Sequence, residues 1–206
     1  MIRSLALILG AALLTFTLSA ALSSQADAQT DNTWTIDGAH SNVGFKVRHM
    51  AVSWTRGSFA KVDGTINFDG KNLNKASVDI TIGMDSISTK NKKRDEHLRS
   101  ADFFDVEKHP TMTFKSTKVK TAKGEMFQLI GDLTIKGVTK QVTLDVEGAT
   151  TPVNDPWGNV KLGFTATGKI ARKDFGITWN KSLDGGGLVV GDDVHLTIDV
   201  ELNKSK

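Results

Sequence analysis

The chain has 206 residues, a formal net charge of +3 and no cysteine. The lack of cysteine excludes disulfides, thiol catalysis and thiolate metal sites, so packing alone must hold the domain together. The 26 Lys and Arg residues are mixed with 23 Asp and Glu residues, and no nucleic-acid-binding module is recognisable, so we expect no nucleic-acid partner.

The N-terminal segment has the pattern of a secretory signal peptide. Arg3 precedes an apolar run over residues 5–22, and Ala26-Asp-Ala28 supplies an A-x-A cleavage pattern. We therefore expect residues 1–28 to be a cleaved signal peptide and residues 29–206 to be one domain in the bacterial periplasm. The alternative is an uncleaved membrane anchor, because the apolar run is nearly long enough to span a bilayer.

Most of the remaining chain alternates apolar with polar or small residues, as Val43, Phe45 and Val47 do. Successive side chains of a strand point to opposite faces, so this pattern predicts antiparallel strands with one apolar and one solvated face. Counting such segments predicts about eight strands. They are 34–49, 57–69, 76–83, 111–121, 125–136, 139–148, 160–172 and 192–202.

One stretch, residues 91–105, has a helical pattern that is interrupted near Ser100. Leu98, Phe103 and Phe104 form its apolar side. A short helix in a strand-rich chain must bury that side on the sheet or over an opening. Two interpretations stay open for this segment, namely core packing alone or a lid that contacts a ligand at one end of the sheet structure.

The sequence predicts an all-β fold but leaves two architectures open. Amphipathic antiparallel strands can stack as a sandwich or close as a barrel, and closure removes exposed strand edges. A barrel of eight strands is just wide enough to be filled by its own side chains or to hold one slender ligand.

The five histidines do not predict a metal site. They have no H-x-H or H-E-x-x-H spacing, and no cysteine is present to complete a zinc site. We instead expect His40 and His97 to form hydrogen bonds with the nearby Asp37 and Asp102, holding local turns.

Catalytic patterns are also missing from the sequence. It has no G-x-S-x-G motif, and Ser41 next to His40 would point to the opposite face of a strand. The charged residues between 94 and 102 could form an acid/base set, but a solvated helix face explains them more simply.

Five segments carry a resemblance to a known family. They are Trp34-x-x-Asp37-x-x-His40-Ser41-x-x-x-Phe45-x-x-x-His49, Arg94-Asp-x-His-Leu-x-Ser-x-Asp-Phe-Phe-Asp105, Gly131-Asp-Leu-Thr-Ile-Lys-Gly-Val-Thr139, Asp174-Phe-Gly-Ile-x-Trp179 and Val190-Gly-Asp-x-Val194. Each is weak alone, but in this order they cover nearly the whole mature chain. The sequence resembles the YceI-like polyisoprenoid-binding family.

The resemblance implies a secreted, lipocalin-like antiparallel β-barrel with an elongated apolar lumen, and in such a barrel we expect the short helical segment to cap one end. It implies binding of a polyprenyl or quinone-type isoprenoid lipid, and because the sequence has no catalytic pattern we expect no catalysis and no cofactor. A homodimer and transient contact with a membrane or membrane protein are compatible with it. Two alternatives stay open: a structural or stress-related envelope protein whose barrel is filled, and an enzyme acting on a small amphiphile.

The strand pattern and the resemblance together give a set of predicted site residues. Arg48, His49 and Trp54 are predicted to meet the lipid head group, because they follow the first apolar strand. The predicted lumen residues are Phe45, Ile66, Phe68, Val78, Ile80, Phe103, Phe104, Leu144, Phe164, Ile170, Leu196 and Ile198.

Overall fold

The structure is a computed structural model that describes residues 32–121 and 126–205. The predicted signal peptide at residues 1–28 lies outside the described residues. In the part that is described, no helix is long and apolar enough to cross a membrane.

The described chain consists mainly of β-strands joined by short turns. The strands are β1 Thr33–Ile36, β2 Asn42–His49, β3 Ser53–Phe59, β4 Val62–Asn67, β5 Ser77–Gly83, β6 Ile87–Ser88, β7 Thr111–Thr121, β8 Met126–Ile135, β9 Val138–Asn154, β10 Val160–Ala171 and β11 Val190–Lys204. The α-helix α1 spans Lys92–Arg99, and three 3-10 turns span Leu73–Lys75, Met84–Ser86 and Arg172–Phe175.

The sheet closes on itself, because β1 pairs antiparallel with both β4 and β11. The closed ring runs β1-β4-β5-β7-β8-β9-β10-β11. The short strands β2, β3 and β6 continue β1, β4 and β5 respectively toward one end, where β2 also pairs with β11. The predicted barrel of eight antiparallel strands is therefore confirmed, and closure decides against a sandwich.

The first predicted strand, 34–49, is interrupted between β1 and β2. The cause is local, because the Asp37 Oδ1 atom accepts a hydrogen bond from the Ala39 backbone N at 3.0 Å. Such a side-chain bond to the backbone stabilises a turn at the expense of the strand ladder. Both halves nevertheless pair with β11, so the barrel wall continues across the interruption.

One end of the barrel, here named the Trp34 end, is closed by a small apolar cluster. Trp34, Phe68, Leu162 and Leu202 are all nearly inaccessible to solvent there. The Trp34 indole Nε1 donates to the Phe68 carbonyl at 2.9 Å, so its only polar group is satisfied despite burial.

The other end, here named the α1 end, is covered by the helix and the residues that follow it. Asn91 caps α1, its Oδ1 accepting from the Arg94 backbone N at 3.1 Å, and the helix stops before Ser100. The predicted interruption near Ser100 is thereby confirmed. Leu98 and Phe104 pack against the barrel core, as predicted for the apolar side of this segment.

The charged residues of α1 do more than face solvent, which corrects the prediction of a solvated helix face. Asp95 is buried, and its Oδ1 accepts from the Thr89 backbone N at 2.8 Å. The Arg99 guanidinium donates to the Ile87 carbonyl at 2.8 Å. These bonds tie α1 to β6 and the turn after it, which fixes the helix over the barrel end.

Candidate functional site

The barrel encloses a cavity of about 430 Å³, within the range typical of small-molecule sites. Its wall is built from the inward-facing residues of the strands, which alternate with outward-facing polar residues as the sequence pattern predicted. Every one of the twelve residues predicted for the lumen lies on this wall. That these residues contact a ligand stays a prediction.

Glycines opposite aromatic side chains help to keep the interior open. Phe45 pairs with Gly57 across β2 and β3, and a Cβ atom at Gly57 would lie 2.5 Å from Phe45 Cζ. Phe164 has the same relation to Gly148, where a Cβ would lie 2.6 Å from Phe164 Cδ1. The rings thus lie over the glycines and leave room in the lumen, a space requirement that the alternating pattern did not reveal.

The cavity is apolar at the Trp34 end. Phe68 and Leu202 border it there, and Trp34 and Leu162 pack against them without lining the cavity. An alkyl or prenyl chain could lie against this surface, whereas a polar group would lose its hydration without gaining a hydrogen-bond partner.

The polar side chains that line the cavity lie mainly at the α1 end: His49, Arg94, His97 and Arg172. The His97 Nε2 atom is 2.8 Å from Asp102 Oδ2, which confirms the predicted pairing. The His97 ring also packs edge-on against Trp179, with ring centroids 4.9 Å apart. The cavity therefore has one apolar end and one end with hydrogen-bonding groups.

Phe103 completes the wall at the α1 end. It is buried, and its ring centroid lies 5.0 Å from that of His97 and 5.1 Å from that of Trp179. Phe104 approaches Phe59 with ring centroids 6.2 Å apart. Both phenylalanines line the cavity and pack against the core at once. Core packing is therefore part of their role, and a lid that contacts a ligand stays a prediction.

Arg172 holds the segment that carries Trp179 against the start of β11. Its guanidinium is buried and donates to the carbonyls of Ile177 and Trp179, both at 2.8 Å, and to that of Gly191 at 2.9 Å. Burial lowers the pKa of Arg172, and an ion pair with Asp192 at 3.2 Å opposes that effect. Arg172 was not predicted from the sequence, because a single arginine after an apolar strand forms no recognisable pattern.

Two of the three residues predicted to meet a head group border the cavity, namely Arg48 and His49. Trp54 does not. It pairs with Arg48 across β2 and β3, and the Arg48 guanidinium lies 4.0 Å from the Trp54 ring centroid. Since neighbours on a strand face opposite ways, His49 faces inward, while the Arg48 guanidinium lies with Trp54 on the outer face even though Arg48 also borders the cavity. Trp54 therefore lies outside the cavity wall, and contact of the three residues with a head group stays a prediction.

A second polar cluster lies on the outer face, where β10 and β11 meet the bend after β1. The Lys161 ammonium is 2.7 Å from Asp37 Oδ2 and 2.8 Å from Glu201 Oε1, and His40 Nδ1 is 3.1 Å from Asp37 Oδ2, as predicted. The hydrogen bonds from Lys161 and His40 hold the pKa of Asp37 well below its ordinary value. The hydrogen bonds of Lys161 with Asp37 and Glu201 raise the pKa of Lys161 to about 12.

The carboxylates and imidazole of this cluster lie close enough together to resemble a cation site. However, the Lys161 ammonium already bonds to both carboxylates. The cluster is therefore explained as an internal ion-pair network that joins β10, β11 and the bend between β1 and β2.

Sequence comparison relates the chain to a bacterial family. The sequence model of the YceI-like domain matches residues 34–202. A UPF0312 protein of Serratia proteamaculans (strain 568) is 41% identical over 189 residues, which is 92% of each chain. Protein YceI of Salmonella newport (strain SL254) is 45% identical over 142 residues, covering 69% of this chain and 73% of that protein.

Solved structures show the same fold. Campylobacter jejuni YCEI protein is 36% identical, with a TM-score of 0.65 over 83% of this chain and 97% of the other. Burkholderia cenocepacia BcnA is 26% identical, with a TM-score of 0.68 over 81% and 98% of the two chains. A polyisoprenoid binding domain from Saccharophagus degradans is only 14% identical, with a TM-score of 0.61 over 84% and 98%, so it shows a shared fold alone.

Proposed function

We propose that this chain, which belongs to the YceI-like family, binds an isoprenoid lipid in its barrel and carries it in the periplasm. The observation that carries this proposal is the cavity of about 430 Å³, apolar along its walls and at the Trp34 end, with hydrogen-bonding groups concentrated at the α1 end. A long apolar tail with a polar or aromatic head has the matching shape and polarity.

In the proposed complex the tail points toward the Trp34 end and the head group lies near His49 and His97. Burial of apolar surface supplies the affinity, at roughly 0.8 kcal/mol for each CH₂ group removed from water. The imidazoles at the α1 end fix the orientation of the ligand, because a polar head placed at the Trp34 end would find no partner.

The class of lipid is proposed partly by analogy. The Saccharophagus degradans domain of the same fold is described as polyisoprenoid-binding, and its low identity makes this a lead only. The geometry of this chain supports the same class, because the cavity is lined along its length by aliphatic and aromatic side chains with few polar groups between them.

We propose binding without chemical change of the lipid. Two of the polar side chains near the head-group position already have protein partners, because His97 is bonded to Asp102 and the Arg94 guanidinium donates to Thr89 Oγ1 at 2.7 Å and Thr89 O at 2.9 Å. They are suited to holding a head group in place. Turnover of a bound lipid on incubation with the purified protein would instead favour the alternative of an enzyme.

Export to the periplasm rests on the N-terminal pattern. Mass analysis of the protein isolated from its native envelope is expected to show a mature chain that begins at Gln29. A chain that retains Met1 and stays tightly bound to the membrane would contradict this part of the proposal.

The direct test of binding is organic extraction of the natively purified protein followed by mass spectrometry, which is expected to yield prenyl lipid close to one per chain. Leu196→Asp places a charge on the cavity wall, and Thr197→Asp places the same charge on the exposed outer face of β11. Lipid should be lost from the first folded variant and kept by the second. A wild-type protein without extractable lipid that also fails to take up added prenyl lipid would favour a filled structural barrel.

A further inference from the structure

The α1 end carries an exposed apolar tip, formed by Met50, Val52 and Leu188. Val52 is 77% exposed, Leu188 43% and Met50 38%. Met50 and Val52 belong to the turn between β2 and β3, and Leu188 precedes β11. The Met50 backbone N donates to the Val189 carbonyl at 2.8 Å, so the two segments that form the tip are joined.

The backbone of this tip is held in an unusual conformation. Met50 and Ala51 have φ angles of 50° and 58°, in the left-handed region that non-glycine residues rarely adopt. Such a conformation persists where the surroundings fix it, and the hydrogen bonds of Met50 N with Val189 O and of Val52 N with His49 O do so here. The apolar side chains are therefore presented by a defined turn.

A basic and aromatic belt lies directly behind the tip on the outer face of β2 and β3. It consists of Lys46, Arg48, Trp54 and Arg56. Lys46 Nζ and the Arg48 guanidinium lie 5.0 Å and 4.0 Å from the Trp54 ring centroid. None of the three cations forms an ion pair with a described residue, so their charge is available to an external anion.

The order of these layers matches the order of layers in a membrane surface. Apolar side chains at the tip suit the acyl boundary, while tryptophan and the basic residues behind it suit the head-group region. We propose that the tip and the belt dock the protein on an anionic phospholipid surface. This inference rests on the proposed function, since a carrier of membrane lipid must exchange it with a bilayer.

The position of the tip relative to the cavity supports this assignment. His49 and Val189 line the cavity, and they are the immediate neighbours of Met50 and Leu188 in sequence. Docking through the tip would bring the polar end of the cavity against the bilayer. The lipid tail could then pass between the cavity and the bilayer without crossing bulk water.

Exposed apolar side chains also occur toward the Trp34 end, where Val153 is 62% and Trp157 83% exposed. The groove beside them carries carboxylates, which an anionic surface would repel. That end of the barrel is moreover closed by the Trp34 cluster. The carboxylates of the groove are Glu147, Asp155, Asp199 and Glu201.

The test is co-sedimentation of the full mature protein with vesicles of phosphatidylcholine, with or without phosphatidylglycerol, at low and high salt. We expect binding that needs phosphatidylglycerol and weakens with salt. The double variant Val52→Asp/Leu188→Asp should lose at least tenfold in partitioning, and its matched control Val153→Asp/Trp157→Asp should bind like wild type. Lys46→Gln/Arg48→Gln should lose roughly 25-fold, at about fivefold for each cation.

Equal vesicle binding by wild type and the Val52/Leu188 variant would overturn the inference, as would loss of binding in the Val153/Trp157 control alone. Self-association of the wild type through the tip, seen by sedimentation equilibrium without vesicle binding, would overturn it in favour of a second copy. Circular dichroism melts establish that each variant is folded. Extractable prenyl lipid is measured on the same samples, so failure of docking is distinguished from failure of lipid binding.

Discussion

The length of the tail that the cavity accepts can be predicted from strand geometry and altered by one substitution. Arg172 marks the α1 end of the cavity and Leu162 the Trp34 end of β10. At about 3.3 Å per residue and a strand tilt of about 40°, these two positions are separated by about 25 Å along the barrel axis. Ala166 is buried between them and lines the cavity, about 15 Å from Arg172 by the same reckoning.

Three bonds of an extended chain span about 3.8 Å, as between successive Cα atoms. An isoprene unit adds about four such bonds, so it advances by about 5 Å. The wild-type cavity should therefore accept about five extended units. Each unit contributes up to about 4 kcal/mol of gross burial free energy, reduced by the ordering of the chain and by association. Affinity should climb steeply to about five units and then level off. With Ala166→Phe the same steep climb should end at about three units, because the ring closes the lumen at that depth.

The assay is a titration of the protein, freed of bound lipid, with prenyl alcohols of increasing tail length, by calorimetry or by displacement of a fluorescent fatty ligand. Thr167→Phe is the matched control, because position 167 is exposed on the outer face of the same strand. Its length profile should coincide with that of wild type. An affinity that does not change from the shortest tail onward, or identical profiles for all three proteins, would refute the elongated lumen.

Three further perturbations test other parts of the structure. Arg172→Met removes the buried donor shared by several carbonyls. It should lower the free energy of unfolding, measured by urea denaturation, by about 3–5 kcal/mol. A loss below about 1 kcal/mol would show that this guanidinium does not hold the α1 end. Phe103→Asp places an unpaired charge at a buried position and should reduce the amount of prenyl lipid recovered by extraction. Full recovery from a folded variant would show that Phe103 is not part of the binding site. Because the pKa of Asp37 is depressed in the folded protein, its ionised carboxylate stabilises the fold above the ordinary aspartate pKa of about 3.9. This stabilisation is lost as the pH falls below that value, since the unfolded chain then binds the proton more readily. Thermal melts from neutral to acid pH should therefore fall less steeply for Asp37→Asn, and parallel curves would contradict this account.

The barrel wall was predictable because strand alternation is a local property. Phe45 and Ile198 belong to different strands far apart in the chain, yet each was assigned to the lumen from its immediate neighbours alone. The structure places both on the cavity wall. One apolar face per strand suffices for this assignment, since an amphipathic sheet can bury only that face.

The same local rule, applied more strictly, would have divided the three predicted head-group residues between two faces of the hairpin. Arg48 and His49 are adjacent in β2 and must face opposite ways, and Trp54 pairs with Arg48 across the hairpin. The three residues were grouped only by their proximity in the chain. Only the register between β2 and β3, set by the three-residue turn that joins them, shows which face Trp54 shares.

Other features depend on contacts that no local pattern encodes. The burial of Asp95 follows from its bonds to Thr89, and that of Arg172 follows from the carbonyls around it. A charged residue in a polar stretch is ordinarily solvated. The sequence gives no sign that neighbouring backbone groups will desolvate one particular carboxylate or guanidinium.

A barrel that keeps its interior open must be stabilised elsewhere. Side chains facing the cavity lack some of the packing contacts that a filled core would supply, and the chain has no disulfide to offset that loss. In this protein the compensation lies at the ends and on the outside. The Trp34 cluster closes one end, Arg172 fixes the other, and the Lys161 ion-pair network joins the strands around the first bend. A tail bound in the cavity would restore the missing interior contacts. The protein should therefore unfold at a higher temperature when loaded with lipid than when empty, as binding to the native state alone requires.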